Sequence, residues 1–121
     1  MTIRHNLPVA AVLLAGTFLA SSAAFAFHAA GGDPGRGKAV YEGTCVACHG
    51  ADGTGEIDGV PDMTKARGPL GKQDAVLLKN VRDGFKSGRS PMAMPPRGGD
   101  DSLSERDIKD VIAYLHAKFA K

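Results

Sequence analysis

The 121-residue chain has no tryptophan, only two cysteines, and few aromatic residues of any kind, with five phenylalanines and two tyrosines. So little ring volume limits the core such a chain can build, and small domains already bury the smallest share of their surface. No second cysteine pair exists, which excludes a four-thiolate zinc site, and a mixed Cys–His site would need further ligands at matching spacing. Basic and acidic residues nearly balance, 15 against 13, for a formal net charge of +2. That excludes the strongly basic footprint of a nucleic-acid-binding surface. The chain also lacks internal repeats and low-complexity tracts. No stretch alternates apolar and polar residues long enough to argue a sheet, so the fold is expected to be all-α. No nucleophile or acid–base pair stands out, and no enzymatic activity of the chain's own is expected.

The two cysteines that are present stand in Cys45-Val46-Ala47-Cys48-His49. Two thiols flanking two residues, with histidine next, is the pattern by which c-type haem is attached to protein. Each thiol adds to one vinyl group of the same porphyrin, so both must lie on one side of a tight turn. The adjacent histidine then offers an imidazole to the iron. Gly50 lets the chain leave this crowded surface with unusual backbone angles. A thioredoxin-like dithiol would want a βαβ setting that the flanking sequence does not offer. A Cys45–Cys48 disulfide would close a small strained loop and leave His49 unexplained.

The chain opens with Arg4 and His5, an apolar run from Leu7 to Ala20, then small residues ending in Ala24-Phe25-Ala26. This order describes a secretory signal peptide at 1–26, cleaved after Ala26. Apolar and small residues continue from Leu7 to Ala30, enough for an uncleaved anchor counted generously. Pro8, Gly16, Ser21 and Ser22 dilute that run, and the A-x-A site favours removal. Export to the periplasm also suits thiols destined for a porphyrin. The remainder, 27–121, is expected to be one monohaem domain with 14 basic and 13 acidic side chains, a net charge of +1. With the signal cleaved, no stable membrane insertion is expected, and the protein should be a monomer. Lys65, Arg67, Lys72, Lys79, Arg82, Lys86, Arg89 and Arg97 crowd the middle, and Asp100, Asp101, Glu105, Asp107 and Asp110 follow. Both groups read as solvated surface.

Three helices are predicted. The first starts at Asp33-Pro34, a good N-cap before a proline tolerated at the first helical position, and leads through Gly37 and Tyr41 towards Cys45. A glycine inside a helix costs stability, and close approach of another helix would explain Gly37. Glycines and prolines from Gly50 to about Gly71 mark a long loop, read as wrapping the haem edge. The second helix spans roughly Gln73–Phe85, with Leu77, Leu78, Val81 and Phe85 at helical spacing. The last begins after Ser104, with Asp107 completing a shortened capping box, and carries the stripe Ile108, Val111, Ile112, Leu115 and Phe119.

A second iron ligand is sought in Ser90-Pro91-Met92-Ala93-Met94-Pro95-Pro96. A thioether opposite histidine raises the potential of haem iron. The prolines bias their predecessors to extended angles, which would hold a methionine at fixed reach. Pro95 restricts Met94 directly, whereas Met92 precedes the freer Ala93. Met63 reads as a packing residue. His28 near the mature N-terminus and His116 in the last helix do not sit in loops shaped for ligation.

Taken together, these residues resemble a class I cytochrome c of the small bacterial type, similar to the c5 and c555 groups. The resemblance covers nearly all of 27–121. It rests on Cys45, Cys48 and His49, on Gly37 and Tyr41, on Val111-Ile112-Ala113-Tyr114-Leu115, and on Met94-Pro95-Pro96-Arg97-Gly98-Gly99. It implies three main helices around one covalent haem, with the last crossing the first at Gly37. It also implies Met94 as the ligand beside the paired prolines, and a hydrogen bond from His49 to the Pro61 carbonyl that would fix the imidazole. The extra cysteine pair of some c5-like proteins is absent here. The function implied is periplasmic electron transfer between redox partner proteins. A dedicated haem subunit of a larger dehydrogenase or oxidase is the alternative. A gas or redox sensor would need an open sixth position, against which the methionine-proline loop argues.

Overall fold

Asp33 begins the first helix as its side-chain chemistry requires. Its carboxylate accepts hydrogen bonds from the N–H groups of Gly35 (2.8 Å) and Arg36 (3.2 Å), and α1 runs over Pro34–Val40. The computed structural model from which this is read describes residues 31–88 and 90–121. The expected signal peptide at 1–26, His28 and Arg89 lie outside the described residues. The single helix expected to reach Cys45 is instead interrupted. After α1 the chain widens into a π-helical turn, Tyr41–Cys45, where the N–H of Val46 reaches back to the Tyr41 carbonyl. It then tightens into α2, Val46–His49. Turns occupy the next stretch, with a 3₁₀ turn at Pro69–Gly71, as the glycine and proline spacing predicts.

The second predicted helix is α3, Asp74–Asp83. It stops short of Phe85 because Gly84 turns out of the helix at φ +81°. A Cβ on Gly84 would lie 2.9 Å from the Met94 carbonyl oxygen and 3.0 Å from the Pro96 nitrogen, so only glycine lets that loop come so close. Phe85 then pairs with Met94 in an isolated antiparallel bridge. Phe85 N–H donates to Met94 O (3.0 Å), and Met94 N–H donates to Phe85 O (2.8 Å). A 3₁₀ turn at Pro96–Gly99 leads to α4, Glu105–Phe119. The capping box forms as expected. The Asp107 N–H donates to Ser104 Oγ (3.2 Å), and the Asp107 carboxylate accepts from the Ser104 N–H (2.8 Å). Among the described residues there is no strand, and the all-α reading holds. Among them too, no helix is long and apolar enough to cross a membrane.

The core sits where α4 lies across α1. Ile108, Val111, Ile112 and Phe119 of α4 are buried with Tyr41, Met63, Leu70 and Leu77. Tyr41 meets Tyr114 and Phe119 as tilted rings and these two meet edge-on, with centroids 5.4 to 6.1 Å apart. Gly37 is the point of closest approach, as expected. A Cβ there would lie 1.9 Å from the Asp110 carbonyl oxygen and 2.9 Å from Tyr114 Cβ.

Asp110 departs from the sequence reading. It is not solvated surface but 1% exposed, and it locks the same crossing. Its carboxylate accepts from the Asp33 N–H (2.6 Å) and from Arg36 Nε (2.7 Å). The Arg36 hydrogen bond holds the carboxyl below the usual carboxylate range, although burial opposes it. A depressed native pKa stabilises the fold above the unfolded value of about 3.9 and loses that contribution as pH falls through the native one. Acid should therefore loosen the α1–α4 crossing below about pH 4. In thermal unfolding followed by circular dichroism, Asp110→Asn should melt earlier than the parent at pH 7, with the gap narrowing at pH 3. A gap that is constant across this range would show that the charge of Asp110 contributes nothing.

Candidate functional site

The widened Tyr41–Cys45 turn and the short α2 bring Cys45, Cys48 and His49 onto one compact stretch of backbone. Both cysteines are free thiols, half-buried and not joined to each other. Burial, reinforced by neighbouring Cys48, pushes the Cys45 thiol up to about 11. Burial likewise pushes the His49 imidazole below its ordinary value, which favours the uncharged ring. Nδ1 of His49 is buried and has no hydrogen-bond partner among the described residues. Such an orphaned nitrogen is costly unless something else engages the ring. The bond to the Pro61 carbonyl implied by the resemblance is not formed in this structure, where Pro61 is exposed. The loop before Pro61 is held by its own backbone bonds, Gly55 N–H to His49 O (3.0 Å) and Val60 N–H to Ile57 O (3.0 Å).

The turn that follows the methionine loop docks beside this stretch. Thr44, directly before Cys45, donates through Oγ1 to the Asp100 carboxylate at 3.4 Å, and a Cβ on Gly98 would lie 3.0 Å from Thr44 Cγ2. Within the loop the two methionines differ. Met94 is half-buried and fixed by both hydrogen bonds of the Phe85 bridge. Met92 is 44% exposed. Arg97 takes a left-handed φ of 54° in the turn that follows, carrying the chain back towards α4.

Other candidates fall away from the site. His116 Nε2 lies 2.8 Å from the Asp74 carboxylate, joining α4 to α3 at the surface. Met63 is 5% exposed and packs in the core. Lys79 (3.3 Å) and Arg82 (2.8 Å) both pair with Asp83, and Lys72 sits 4.9 Å over the Phe85 ring. Among the described residues no three His, Cys, Asp or Glu side chains cluster to hold a metal ion. The donors present, two thiols and an imidazole, would suit a group that needs only thioether bonds and an imidazole nitrogen from this stretch. Sequence reasoning missed one contact here. The Tyr41 hydroxyl, itself buried, donates to the Gly50 carbonyl at 2.6 Å. Only the choice of tyrosine over phenylalanine at this aromatic position hints at it.

Residues 32–115 match the family model described as cytochrome c oxidase, cbb3-type, subunit III. Cytochrome c-554(548) of Halomonas halodenitrificans is 39% identical over 76 residues, covering 63% of this chain and 86% of that protein. Cytochrome c-555 of Chlorobaculum tepidum is 28% identical over 107 residues, covering 88% of this chain and 92% of that one. Several other relatives are longer, and the chain spans less than half of their length. The solved structure of cytochrome c6 from the diatom Phaeodactylum tricornutum superposes with a TM-score of 0.50 at 29% identity, over 71% of this chain and 93% of that one.

Proposed function

The chain belongs to the cytochrome c family, whose haem c is bound covalently, and on that premise we propose that it is a periplasmic electron carrier with Cys45 and Cys48 as attachment points and His49 and Met94 as axial ligands. The observation that carries this reading is the pairing of two unbridged thiols with a half-buried imidazole, its Nδ1 buried and without a partner among the described residues, on one short turn. When bound, haem supplies a one-electron couple between ferrous and ferric iron. The residues do the rest. Cys45 and Cys48 fix the group to the backbone at two points. Burial favours the uncharged His49 ring, whose nitrogen lone pair would hold the iron. The Pro61 carbonyl would close on Nδ1 of the same ring in the loaded protein and orient it. Met94, whose backbone is tied to Phe85 by two hydrogen bonds, would offer its sulfur to the iron. His49 and Met94 would both hold the iron, which would leave no position on it for a substrate. A near-neutral domain suits the small, brief encounters of redox partners. Export by the segment 1–26 would deliver it to the periplasm as a monomer.

The choice of methionine is tested by Met94→Ala and Met92→Ala made separately. Only the first should remove the near-infrared sulfur-to-iron band of the ferric protein, lower its reduction potential and admit cyanide. If Met92→Ala does this and Met94→Ala behaves as the parent, the loop is threaded the other way.

The match to an oxidase subunit family favours one alternative, a haem c subunit held in a larger complex. Four large apolar side chains are well exposed among the described residues, Ile57, Val76, Phe85 and Met92. Gentle extraction from the native source distinguishes the two. A carrier elutes at the size of one chain, and a subunit elutes with its partners.

A further inference from the structure

Tyr41 touches both ends of the Cys45–His49 stretch. Its backbone carbonyl accepts the N–H of Val46, the wide hydrogen bond of the π turn. Its hydroxyl donates to the carbonyl of Gly50, the residue directly after His49, at 2.6 Å. One residue therefore brackets the segment that carries both thiols and the imidazole. π turns of this kind recur at functional sites because one extra residue re-aims the side chains that follow. The bracket is itself immobilised. Tyr41 is 2% exposed and wedged between Tyr114 and Phe119, at 5.4 and 5.6 Å between ring centroids. Gly50 leaves α2 at φ +79°, and its N–H still donates to Val46 O at 2.8 Å. The phenolic hydrogen bond thus ties the backbone directly after His49 to the aromatic cluster at the α1–α4 crossing, beside the packing of Cys45 and Val46 on the core and the loop bonds of Glu56 N–H to Cys48 O (2.9 Å) and Gly55 N–H to His49 O (3.0 Å). Among the described residues, the only other hydrogen bond to the Gly50 carbonyl comes from Gly53 N–H at a longer 3.2 Å.

We infer that the Tyr41 hydroxyl is a positioning group that sets the orientation of His49 towards haem iron, rather than only a filler of the aromatic core. This rests on the reading of Cys45, Cys48 and His49 given above. A phenylalanine in its place would keep the ring packing and lose the link to Gly50. The hydroxyl of Tyr114, in contact with the same rings, has no hydrogen bond to residues 45–50, so Tyr114→Phe is the matched control.

The test compares loaded parent, Tyr41→Phe and Tyr114→Phe. Tyr41→Phe should keep covalent haem and its helices, yet shift the ferric electron paramagnetic resonance g-values and haem-methyl NMR shifts, which report imidazole orientation. The carbonyl-carbon NMR shift of Gly50 should move as well, because its oxygen loses the shorter of the two hydrogen bonds it accepts. Tyr114→Phe should leave all three as in the parent. Unchanged spectra in Tyr41→Phe, or equal changes in both variants, would overturn the inference while leaving the haem reading intact. In the parent alone, the Tyr41 hydroxyl proton should exchange slowly and show a cross-peak to Gly50. A freely exchanging hydroxyl contradicts the inference without recourse to any variant. A parent that carries no covalent haem refutes both readings together.

Discussion

Replacing Cys45 and Cys48 together with alanine is expected to abolish covalent haem and, with it, most of the helical circular dichroism signal. The reasoning begins with how little apolar material the chain has. Among the described residues the buried apolar core amounts to eight side chains, with no tryptophan among them. Small domains of this kind commonly depend on a staple or cofactor to stay folded. A cofactor that binds only the folded chain adds its binding free energy to folding, and a covalent one cannot be diluted away. Cys45 and Val46 already pack against the core, as do Leu78 and Val81 of α3, so the attachment segment and the core are continuous. Intact-mass measurement gives the haem content, and far-ultraviolet dichroism gives the fold. A double variant that stays fully helical without haem would show that the apolar core suffices by itself.

The second large effect is at the helix crossing. Gly37→Ala should destabilise the protein by about 3 kcal/mol, at the upper end of the cost of overpacking a core. Two terms compete. Alanine is the better helix former by about 1 kcal/mol, which favours the variant. Against it, the new Cβ would lie 1.9 Å and 2.4 Å from backbone oxygen and carbon of Asp110. Backbone atoms cannot rotate aside as a side chain can, so α1 and α4 must part. Parting them also strains the Asp33 and Arg36 bonds to Asp110. Gly43→Ala is the comparison, because a Cβ there meets nothing within 4 Å. Denaturant titration should show Gly43→Ala near neutral and Gly37→Ala strongly shifted. Equal midpoints for the two would mean that the crossing is looser than described.

What could be read from the sequence was chemistry that lies in one stretch of chain. Asp33-Pro34 and Ser104 with Asp107 announced their helix starts because a cap is satisfied within four residues. The Cys45–His49 pattern was legible for the same reason. Gly37 signalled a close approach because a glycine inside a helix needs an external cause. The features missed depend on distant partners or on backbone detail. Asp110 looked like one carboxylate in an acidic run, and only the packing of α1 onto α4 makes it a buried anchor for residues 74 and 77 positions away. The π turn at Tyr41–Cys45 leaves the apolar pattern almost unchanged, so periodicity cannot reveal it. Phe85 fits the helical stripe of α3 by spacing. Yet Gly84 releases the chain first, and the bridge to Met94 depends on a loop nine residues later. Met94 was distinguished from Met92 by its proline neighbour, and the structure adds a difference in burial and anchoring that the sequence did not contain.

The central claim is that this chain holds one haem through Cys45 and Cys48, and acid–acetone extraction of the purified protein followed by intact-mass analysis tests it most directly. The account predicts that colour stays with the precipitated protein and that the denatured chain carries the mass of exactly one haem. Haem in the organic layer over a bare chain would contradict it.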